Sequence, residues 1–466
     1  MPHKAKKPPV RSGAPTKRPV ITDLALMEER LMTTPAARAD RDDVLRYLCV
    51  FLSVAHTGSV TRSSEQIFKA ASAITRALTQ MEQLLGVSLF ERRPRGMLLN
   101  AYGEAVHLRA RRIQAEIRQA ATTLCNGQST RKDPAVLTQL LLSGNKLRVF
   151  VSLASHGQIA ASCHHLGMSK SGISMSLARL EESVGQPLFQ RTAQGLVVSE
   201  AAEPLLLHAK RVFAEVRHMQ ADLMALQGSV EGCITVGALP LGRTRLLPLA
   251  IVHLLQKYPG IQIKTRESSY EELARDLGCG DIDFIFGALR PQEENRQLVS
   301  EALFVDQVRI FCRANHPLTR TPGHLSLATL QHNGWILPRQ DSPARRALVR
   351  SFTRQGLSAP QPSVESGDLA VVRNLLTHSD LLTACSPHQL RYEMEKGDIV
   401  ELNVDLGDAE RSIGIIQRSG CHPPPAMQAL LEEVRKICAS DLLPCSPPAA
   451  SYTPRRTAEL AQHCVS

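Results

Sequence analysis

The chain has few aromatic residues, no paired cysteine motif and no long apolar run. Aromatic side chains make up 4% of its 466 residues, which argues against a carbohydrate-binding surface or a platform for stacking single-stranded bases. Its eleven cysteines are odd in number and include no C-x-x-C pair, a pattern typical of reduced, structural thiols rather than of a disulfide framework or a zinc site. The longest apolar run, residues 246–255, is interrupted by a proline and a histidine and is too short to cross a membrane. No apolar segment of a secretory signal follows the first basic residues, so the sequence predicts a cytoplasmic protein with no membrane partner.

Catalytic motifs are also missing. No nucleophile elbow, phosphate-binding loop or dinucleotide fingerprint lies where a fold would need it. His164 and His165 are adjacent, and adjacent residues on a helix point about 100° apart, so they are poorly placed to chelate one metal ion. No enzyme activity, cofactor or metal is therefore predicted, and an enzyme or a solute-binding protein is only a remote alternative.

Positive charge is in excess but unevenly distributed. The net charge is +11, and residues 1–20 hold six lysines and arginines without an acidic residue. Such a proline-rich segment cannot build a core, so residues 1–40 are predicted to be a disordered basic tail, and residues 439–466, rich in proline and serine, a second disordered tail. A basic tail suits phosphate contacts and solubility equally well, so its charge alone does not identify a partner.

A repeat occupies much of the first half of the chain. Residues 48–96 align with residues 147–195 without a gap, and sixteen of the forty-nine aligned positions are identical. The identical pairs include Gly58 with Gly157, Gly86 with Gly185, Arg92 with Arg191 and Gly96 with Gly195. The repeat has only two copies, and they are 99 residues apart. This indicates a duplicated small domain rather than a solenoid.

Each copy has the pattern of three helices followed by a hairpin. In the first copy an apolar stripe at helical spacing ends at Gly58, a second helix is predicted over about 61–67, and a third over about 71–85. Only a short turn fits between the last two helices, which is the layout of a helix-turn-helix. Residues 89–99 then form a predicted hairpin, or wing, with a basic tip, and the second copy has the same order.

The third helix of each copy is expected to enter the major groove of double-stranded DNA with its first turn against the base edges. Short polar side chains and cations serve as donors there and on the phosphates. The predicted DNA-contacting residues are Ser72, Thr75, Arg76, Arg92, Arg93 and Arg95 in the first copy and Ser169, Lys170, Ser171, Ser174 and Arg191 in the second. Ser169 is also a candidate N-cap. The alternative is that these residues are merely solvated on two packed three-helix units.

Both copies resemble the N-terminal signature of LysR-type transcription regulators. The similar segments are 58–65 (GSVTRSSE) and 85–92 (LGVSLFER) in the first copy and 168–174 (MSKSGIS) and 180–191 (LEESVGQPLFQR) in the second. The resemblance implies winged helix-turn-helix domains that bind promoter DNA, a small-molecule effector, and a homodimer or homotetramer. RNA polymerase is a further candidate partner.

The repeat departs from the family pattern, which usually has one such unit whose recognition helix joins a polar first turn to a serine-arginine pair. The second copy keeps the polar turn but has Met175 in place of the arginine, whereas the first keeps Thr75 and Arg76 and has Ala70 and Ala71 at the start. An alternative is therefore that one copy is a degenerate protein-interaction or dimerisation module.

Each copy is followed by a helix with a coiled-coil stripe. Over 199–228, apolar residues step alternately by four and three: Leu205, Ala209, Val212, Val216, Met219, Leu223 and Leu226. The first copy has its own stripe before a predicted linker at 126–139: Val106, Ala110, Ile113, Ile117, Ala120 and Leu124. Because the corresponding helix dimerises LysR-like proteins, dimerisation through the 199–228 stripe is favoured over the alternative of a helix that covers the core of its own domain. Each unit could then pair with a second chain through its own stripe. A dimer would then carry four DNA-binding units.

Strands alternating with helices over residues 231–438 predict an α/β domain. Residues 237–248 (GALPLGRTRLLP) resemble the LysR effector-binding domain, most of all a branch that responds to sugars or small aromatic acids. The resemblance implies two lobes like those of periplasmic binding proteins, lobe I over about 231–303 and 406–438 and lobe II over about 304–405. A helix is predicted over 244–258 and a single strand over 305–312.

Effector ligands are expected beyond the carboxyl ends of the strands, and the first loop also opens a helix whose N–H groups favour an anion. The predicted effector-binding residues are Leu239, Pro240, Arg243, Thr244, Arg290, Pro338, Arg339, Ser342, Glu365 and Ser366. The arginines suggest a carboxylate, which a guanidinium binds through two parallel hydrogen bonds. The sequence thus predicts two winged helix-turn-helix domains, at 41–125 with its connecting helix and at 140–198, ahead of a two-lobed effector domain.

Overall fold

The computed structural model describes residues 43–94, 96–126, 133–142, 144–193, 195–290 and 297–440. The predicted basic tail and Arg95 lie outside these ranges. The chain forms two compact units, the first comprising the described residues up to 88 with 92–98 and 117–209, and the second comprising 89–91, 99–116 and 210–440. No helix within the described ranges is both long enough and apolar enough to cross a membrane.

The first winged unit follows the predicted order of three helices and a hairpin. A 3₁₀ turn leads into α1 (Leu48–Thr57), α2 (Val60–Ile67), α3 (Ala71–Leu85), β1 (Phe90–Arg93), β2 (Gly96–Leu99) and the connecting helix α4 (Ala101–Asn126). The helix α3 forms where predicted because Ile74, Leu78 and Met81 share one face and are buried there.

The second winged unit has the same elements in the same order. After α5 (Pro134–Leu141) come α6 (Gly144–His156), α7 (Ile159–Leu166), α8 (Lys170–Val184), β3 (Phe189–Thr192), β4 (Gly195–Val198) and the connecting helix α9 (Glu203–Leu226). The expectation of a linker over 126–139 was incomplete, because helix α5 begins inside it. Asp133 starts that helix by accepting a hydrogen bond from the amide of Ala135 at 2.8 Å.

Two of the identical glycines of the repeat, Gly96 and Gly195, have the same physical cause. In the first unit the amide of Met97 donates to the carbonyl oxygen of Gly58 at 2.9 Å, and in the second the amide of Leu196 donates to that of Gly157 at 2.8 Å. A Cβ at Gly96 would lie 2.5 Å from the Gly58 carbonyl oxygen, and the equivalent glycine of the second wing meets the same restriction. Both wings therefore approach the end of the first helix too closely for any side chain.

Lobe I of the effector domain is a five-stranded sheet with strand order β6-β5-β7-β14-β8. Its strands are β5 (Gly232–Ala238), β6 (Ile261–Arg266), β7 (Phe284–Ala288), β8 (Leu298–Gln307) and β14 (Glu410–Arg418). The first three are parallel, while β14 runs antiparallel to β7 and β8. Helices α10 (Pro240–Thr244), α11 (Leu246–Lys257) and α12 (Tyr270–Cys279) follow its strands. The last helix in the described residues packs against the core of this lobe.

Lobe II is a second five-stranded sheet with order β11-β10-β12-β9-β13 around a separate core that contains Trp335. Its strands are β9 (Arg309–Arg313), β10 (Trp335–Leu337), β11 (Val364–Glu365), β12 (Leu382–Cys385) and β13 (Ile399–Glu401). The helices are α13 (Leu327–Leu330), α14 (Pro343–Arg354), α15 (Leu369–His378) and α16 (Pro387–Lys396), followed in lobe I by α17 (Pro425–Ser440).

Three expectations for the effector domain need correction. The predicted strand 305–312 is two strands, because Val308 breaks it and is buried in the core of lobe II, so residues 304–307 belong to lobe I. The predicted helix 244–258 is split at Arg245, whose backbone angles (φ −148°, ψ −52°) separate α10 from α11. Residues 439 and 440, predicted as tail, end α17, and the rest of that tail lies outside the described residues.

The nine cysteines in the described ranges are free thiols, as expected for reduced cysteines. Burial raises the pKa of Cys312 to about 12 and that of Cys385 still further. A thiol is reactive as its thiolate, so these two side chains are chemically inert at neutral pH.

Candidate DNA-contacting surfaces and effector pocket

The recognition helix α8 of the second winged unit has a capped polar first turn. The Ser169 hydroxyl accepts a hydrogen bond from the amide of Gly172 at 3.1 Å, which confirms it as the N-cap. It also lies 3.1 Å from the Ser171 hydroxyl. Lys170, Ser171 and Ser174 are exposed, so the residues predicted to contact base edges share an accessible turn.

The first winged unit presents a less complete surface. Ala70 begins α3 without a side-chain cap. Ser72, Thr75 and Arg76 are exposed, but the Thr75 hydroxyl donates to the Ala71 carbonyl of its own helix at 3.0 Å. The sequence alone gave no sign that Phe68, at the turn before α3, is 94% exposed in a left-handed conformation (φ 53°).

Basic side chains extend both surfaces onto the wings. Arg92 and Arg93 are exposed on β1, and Arg191 is exposed on β3. Arginines on a wing suit phosphate oxygens, which set position and register without carrying sequence information.

Most of the predicted effector-binding residues have hydrogen-bond or ion-pair partners within the protein. Arg243 pairs with Glu267 at 2.8 Å. Arg345 donates to Glu365 at 2.7 Å and to the Pro338 carbonyl at 3.0 Å, so these two residues hold a buried arginine. Three more have local hydrogen bonds: the Thr244 hydroxyl donates to the Leu241 carbonyl, Ser342 caps α14, and the Ser366 hydroxyl accepts from the amide of Asp368. Of the others, Leu239 is buried, and Pro240 and Arg339 are exposed.

Arg290 is different, because it lines a cavity of 510 Å³ to which both lobes of the effector domain contribute. Lobe I supplies the end of β7 and parts of β8 and β14, and lobe II supplies one face of α14. The lining residues are Leu289, Arg290, Ser300, Ala302, Pro343, Arg346, Arg350, Glu410, Arg411 and Ser412. The volume is within the range of about 300–1,000 Å³ typical of small-molecule sites. We call this cavity the arginine pocket.

The arginine pocket concentrates positive charge. Burial lowers the pKa of Arg290, the nearby charge of Arg346 lowers it further, and Glu271 and Asp341 act in the opposite direction. The Arg290 guanidinium lies 4.7 Å from the ring centre of Tyr270. Its buried Nη1 has no hydrogen-bond partner among the described residues. A buried donor without a partner is costly, so an anion here would gain an interaction that the protein leaves open.

Arg411 is held at the same pocket by a buried polar network. Its Nε donates to Asp306 at 2.8 Å, and the same carboxylate accepts from the Ser386 hydroxyl at 2.6 Å. The Nη2 group of Arg411 is buried without a hydrogen-bond partner in the described part of the chain. Asp306 thus fixes the guanidinium and leaves one of its nitrogens for a ligand.

Sequence reasoning missed Arg346, Arg350 and Arg411. The first two could have been suspected, since residues four apart on a helix share a face and the opposite face of α14 carries Ala347, Leu348 and Phe352. Arg411 gave no comparable signal, because it reaches the pocket from a strand more than sixty residues further along the chain.

Two sequence families match the chain. Residues 45–104 and, separately, 145–203 match the bacterial regulatory helix-turn-helix protein, lysR family, and residues 227–439 match the LysR substrate binding domain. The duplicated helix-turn-helix unit predicted from the repeat is therefore confirmed.

Named relatives agree with this assignment. The chain is 41% identical over 387 residues to the HTH-type transcriptional regulator GalR of Pseudomonas putida, covering 83% of this chain and 95% of GalR. It is 25% identical over 288 residues to CfxR of Cupriavidus necator, covering 62% of this chain and 89% of CfxR. In fold it is similar to a full-length OxyR variant from Pseudomonas aeruginosa, with a TM-score of 0.50 and 18% identity over 62% of this chain and 93% of that one. The chain thus belongs to the LysR family of bacterial transcription regulators, as a DNA-binding, effector-controlled regulator and not an enzyme.

Proposed function

We propose that the effector of this regulator is a small carboxylate that binds in the arginine pocket. The observation that carries the proposal is the buried Nη1 of Arg290, which has no hydrogen-bond partner among the described residues and lies beside a second arginine, Arg346. A carboxylate accepts two parallel hydrogen bonds from a guanidinium, so it matches this donor in both charge and geometry.

The size and polarity of the pocket restrict the ligand further. Four of its lining side chains are arginines, one is a glutamate, and Ser300 and Ser412 add hydroxyl groups. The cavity of 510 Å³ has room for a single ring. An aromatic acid with hydroxyl substituents or a sugar acid fits this description, and a neutral sugar would bring no negative charge to Arg290.

Base contacts are made mainly by the second winged unit. Ser169, Lys170, Ser171 and Ser174 supply donors on a capped helix end, and the wing arginines bind phosphates. The first unit contributes phosphate and base contacts through Arg76. The regulator acts on promoter DNA in the cytoplasm as a homo-oligomer, and RNA polymerase is a further partner on this proposal.

Calorimetry on the full-length protein tests the effector. Hydroxylated aromatic acids and sugar acids are compared with their methyl esters, which keep the shape and lose the charge. We expect binding of one acid and no binding of its ester. Arg290→Gln should weaken binding by roughly ten- to a hundredfold, the usual worth of a hydrogen bond to a charged group. Arg320→Gln, an exposed arginine of lobe II away from the pocket, should change nothing. Equal binding of acid and ester would contradict the proposal.

Salt dependence tests DNA binding. Duplexes are first selected from a random pool by the full-length protein, and affinity is then measured across salt concentrations. Each phosphate contact contributes about −0.9 to the slope of log K against log salt concentration, so replacing Arg191 with glutamine should make the slope less steep. Replacing Lys170 and Ser171 with alanine should reduce the preference for the selected sequence over random duplex. A slope near zero for the wild-type protein would contradict DNA binding.

A second candidate role applies to the first winged unit alone. Its recognition helix lacks a cap, its Thr75 hydroxyl is occupied within the helix, and it exposes Phe68 at the preceding turn. These features favour the alternative that this copy is a degenerate interaction module. An Arg76→Ala variant with unchanged sequence preference and unchanged salt slope would support that role.

A further inference from the structure

The connecting helices α4 and α9 of one chain lie against each other in antiparallel order. Arg109 pairs with Asp222 at 2.7 Å, Arg112 with Glu215 at 2.9 Å, and Glu116 with Arg211 at 3.7 Å. Residue numbers rise along α4 as they fall along α9, which defines the antiparallel direction.

The centre of this helix pair is a buried charge cluster. The guanidinium of Arg109 donates to Glu215 at 3.0 Å, to both oxygens of Asp222 at 2.7 and 3.3 Å, and to the carbonyl of His422 at 2.8 Å. The Arg109 side chain is 0% and that of Glu215 2% exposed. A buried guanidinium is tolerated only when its donors are paired, so these bonds favour one register of the two helices over others.

The apolar stripes of both helices are already covered within the chain. On α4 the six stripe residues from Val106 to Leu124 are each at most 3% exposed. On α9 the stripe residues from Leu205 to Leu223 are each at most 4% exposed, whereas the last stripe residue, Leu226, is 46% exposed. Apart from Leu226, the surfaces that the sequence offered for pairing with a second chain are therefore buried in a single chain.

The same helix pair is attached to lobe I. On α9, Lys210 pairs with Asp281 at 2.6 Å, Arg211 donates to the Gly278 carbonyl at 2.7 Å, and Arg217 donates to the Gly280 carbonyl at 2.9 Å. Arg109 of α4 reaches lobe I through His422. Both connecting helices are thus bonded to the effector domain of their own chain.

We propose that each chain pairs its own two connecting helices, so that one chain carries a complete two-unit DNA-binding module and occupies two adjacent half-sites. The pairing of the two helices within one chain is inferred from their contacts. The binding of two half-sites by one chain rests on the proposed function, in which both winged units contact DNA. Because the two units are covalently linked, their pairing does not depend on protein concentration. Association of chains then uses surfaces other than these two stripes.

Distance measurements on the full-length protein test the pairing. Glu104 and Met224 are exposed at the same end of the helix pair, and encoded spin-labelled residues at both sites avoid the native cysteines. We expect a short distance in the doubly labelled chain that persists when it is synthesised together with an excess of unlabelled chain. Two chains carrying one label each, synthesised together, should give no short distance. A short distance between the singly labelled chains would overturn pairing in cis.

Footprinting on the selected duplex shows which half-sites the protein protects, and native mass spectrometry counts the protein chains bound to that duplex. We expect two protected half-sites for every bound chain, whatever number of chains associates on the duplex. Arg76→Ala should weaken protection of one half, and Lys170→Ala with Ser171→Ala should weaken protection of the other. If both sets of substitutions affect the same half, or if two chains are needed to fill two half-sites, the two-half-site proposal is wrong even where the labels show pairing in cis. Loss of all salt-dependent binding would instead contradict the proposed function.

Discussion

Arg109 and Glu215, on the two connecting helices, form a 3.0 Å ion pair from which water is excluded. Breaking such a pair by removing one partner leaves a buried charge and costs about 3–5 kcal/mol. We therefore expect Arg109→Met, which keeps an unbranched side chain without the charge, to lower the free energy of unfolding by an amount in this range. Urea unfolding followed by circular dichroism measures it.

Arg111 supplies the control for that substitution. It lies on the same helix and is exposed, and exposed substitutions usually change stability by less than about 0.5 kcal/mol. Arg111→Met should therefore leave the unfolding midpoint nearly unchanged. Equal effects of the two substitutions would mean that the charge cluster does not stabilise the helix pair.

Glu215 makes the helix pair sensitive to acid. Burial by itself would raise the pKa of its carboxyl group, but Arg112, His218 and Arg109 together hold the pKa below its usual value. The unfolded chain therefore takes up a proton on Glu215 at higher pH than the folded chain does. The stabilisation is fully present above the unfolded pKa of about 4.3 and is lost as the pH falls through the lower, folded pKa.

The expected result is a melting temperature that falls steeply in the wild type below about pH 4.3 and less steeply in Glu215→Gln. Thermal unfolding between neutral and acid pH measures both curves. Glu104→Gln, at an exposed position of α4, should follow the wild-type curve. A wild-type and a Glu215→Gln curve of the same slope would contradict the assignment.

The two recognition helices allow a reciprocal test of capping. Ser169 caps α8, whereas Ala70 occupies the equivalent position of α3 with similar extended backbone angles and no cap. Ser169→Ala should destabilise the protein by about 0.5–2 kcal/mol, and Ala70→Ser should stabilise it by a similar amount. Hydrogen exchange at the first turn of each helix reports the local effect. An Ala70→Ser variant that lowers protection of α3 would contradict a simple capping role.

Features that depend on near neighbours could be predicted from the sequence, and those that depend on distant partners could not. Ser169 was identified as a cap because its partner is three residues away. The stripes on α4 and α9 were identified by their spacing, but spacing does not say which helix covers a stripe, and the expectation of a second chain overlooked the partner in the same chain. Arg290 was identified from its place after β7, whereas Arg411 joins the pocket through sheet pairing that periodicity cannot show.

Phe68 offers a last test, because it adopts the left-handed backbone conformation that its equivalent in the second unit, Gly167, adopts without strain. The left-handed conformation costs a residue with a Cβ roughly 1–2 kcal/mol. Glycine avoids this cost, but its greater freedom in the unfolded chain cancels part of the gain in stability. Phe68→Gly should therefore stabilise the protein by about 0.5–1 kcal/mol. Phe68→Ala removes the exposed ring but keeps the backbone strain, so it should change stability little. If alanine stabilised as much as glycine, the gain would come from losing the ring, and backbone strain at this turn would not be its cause.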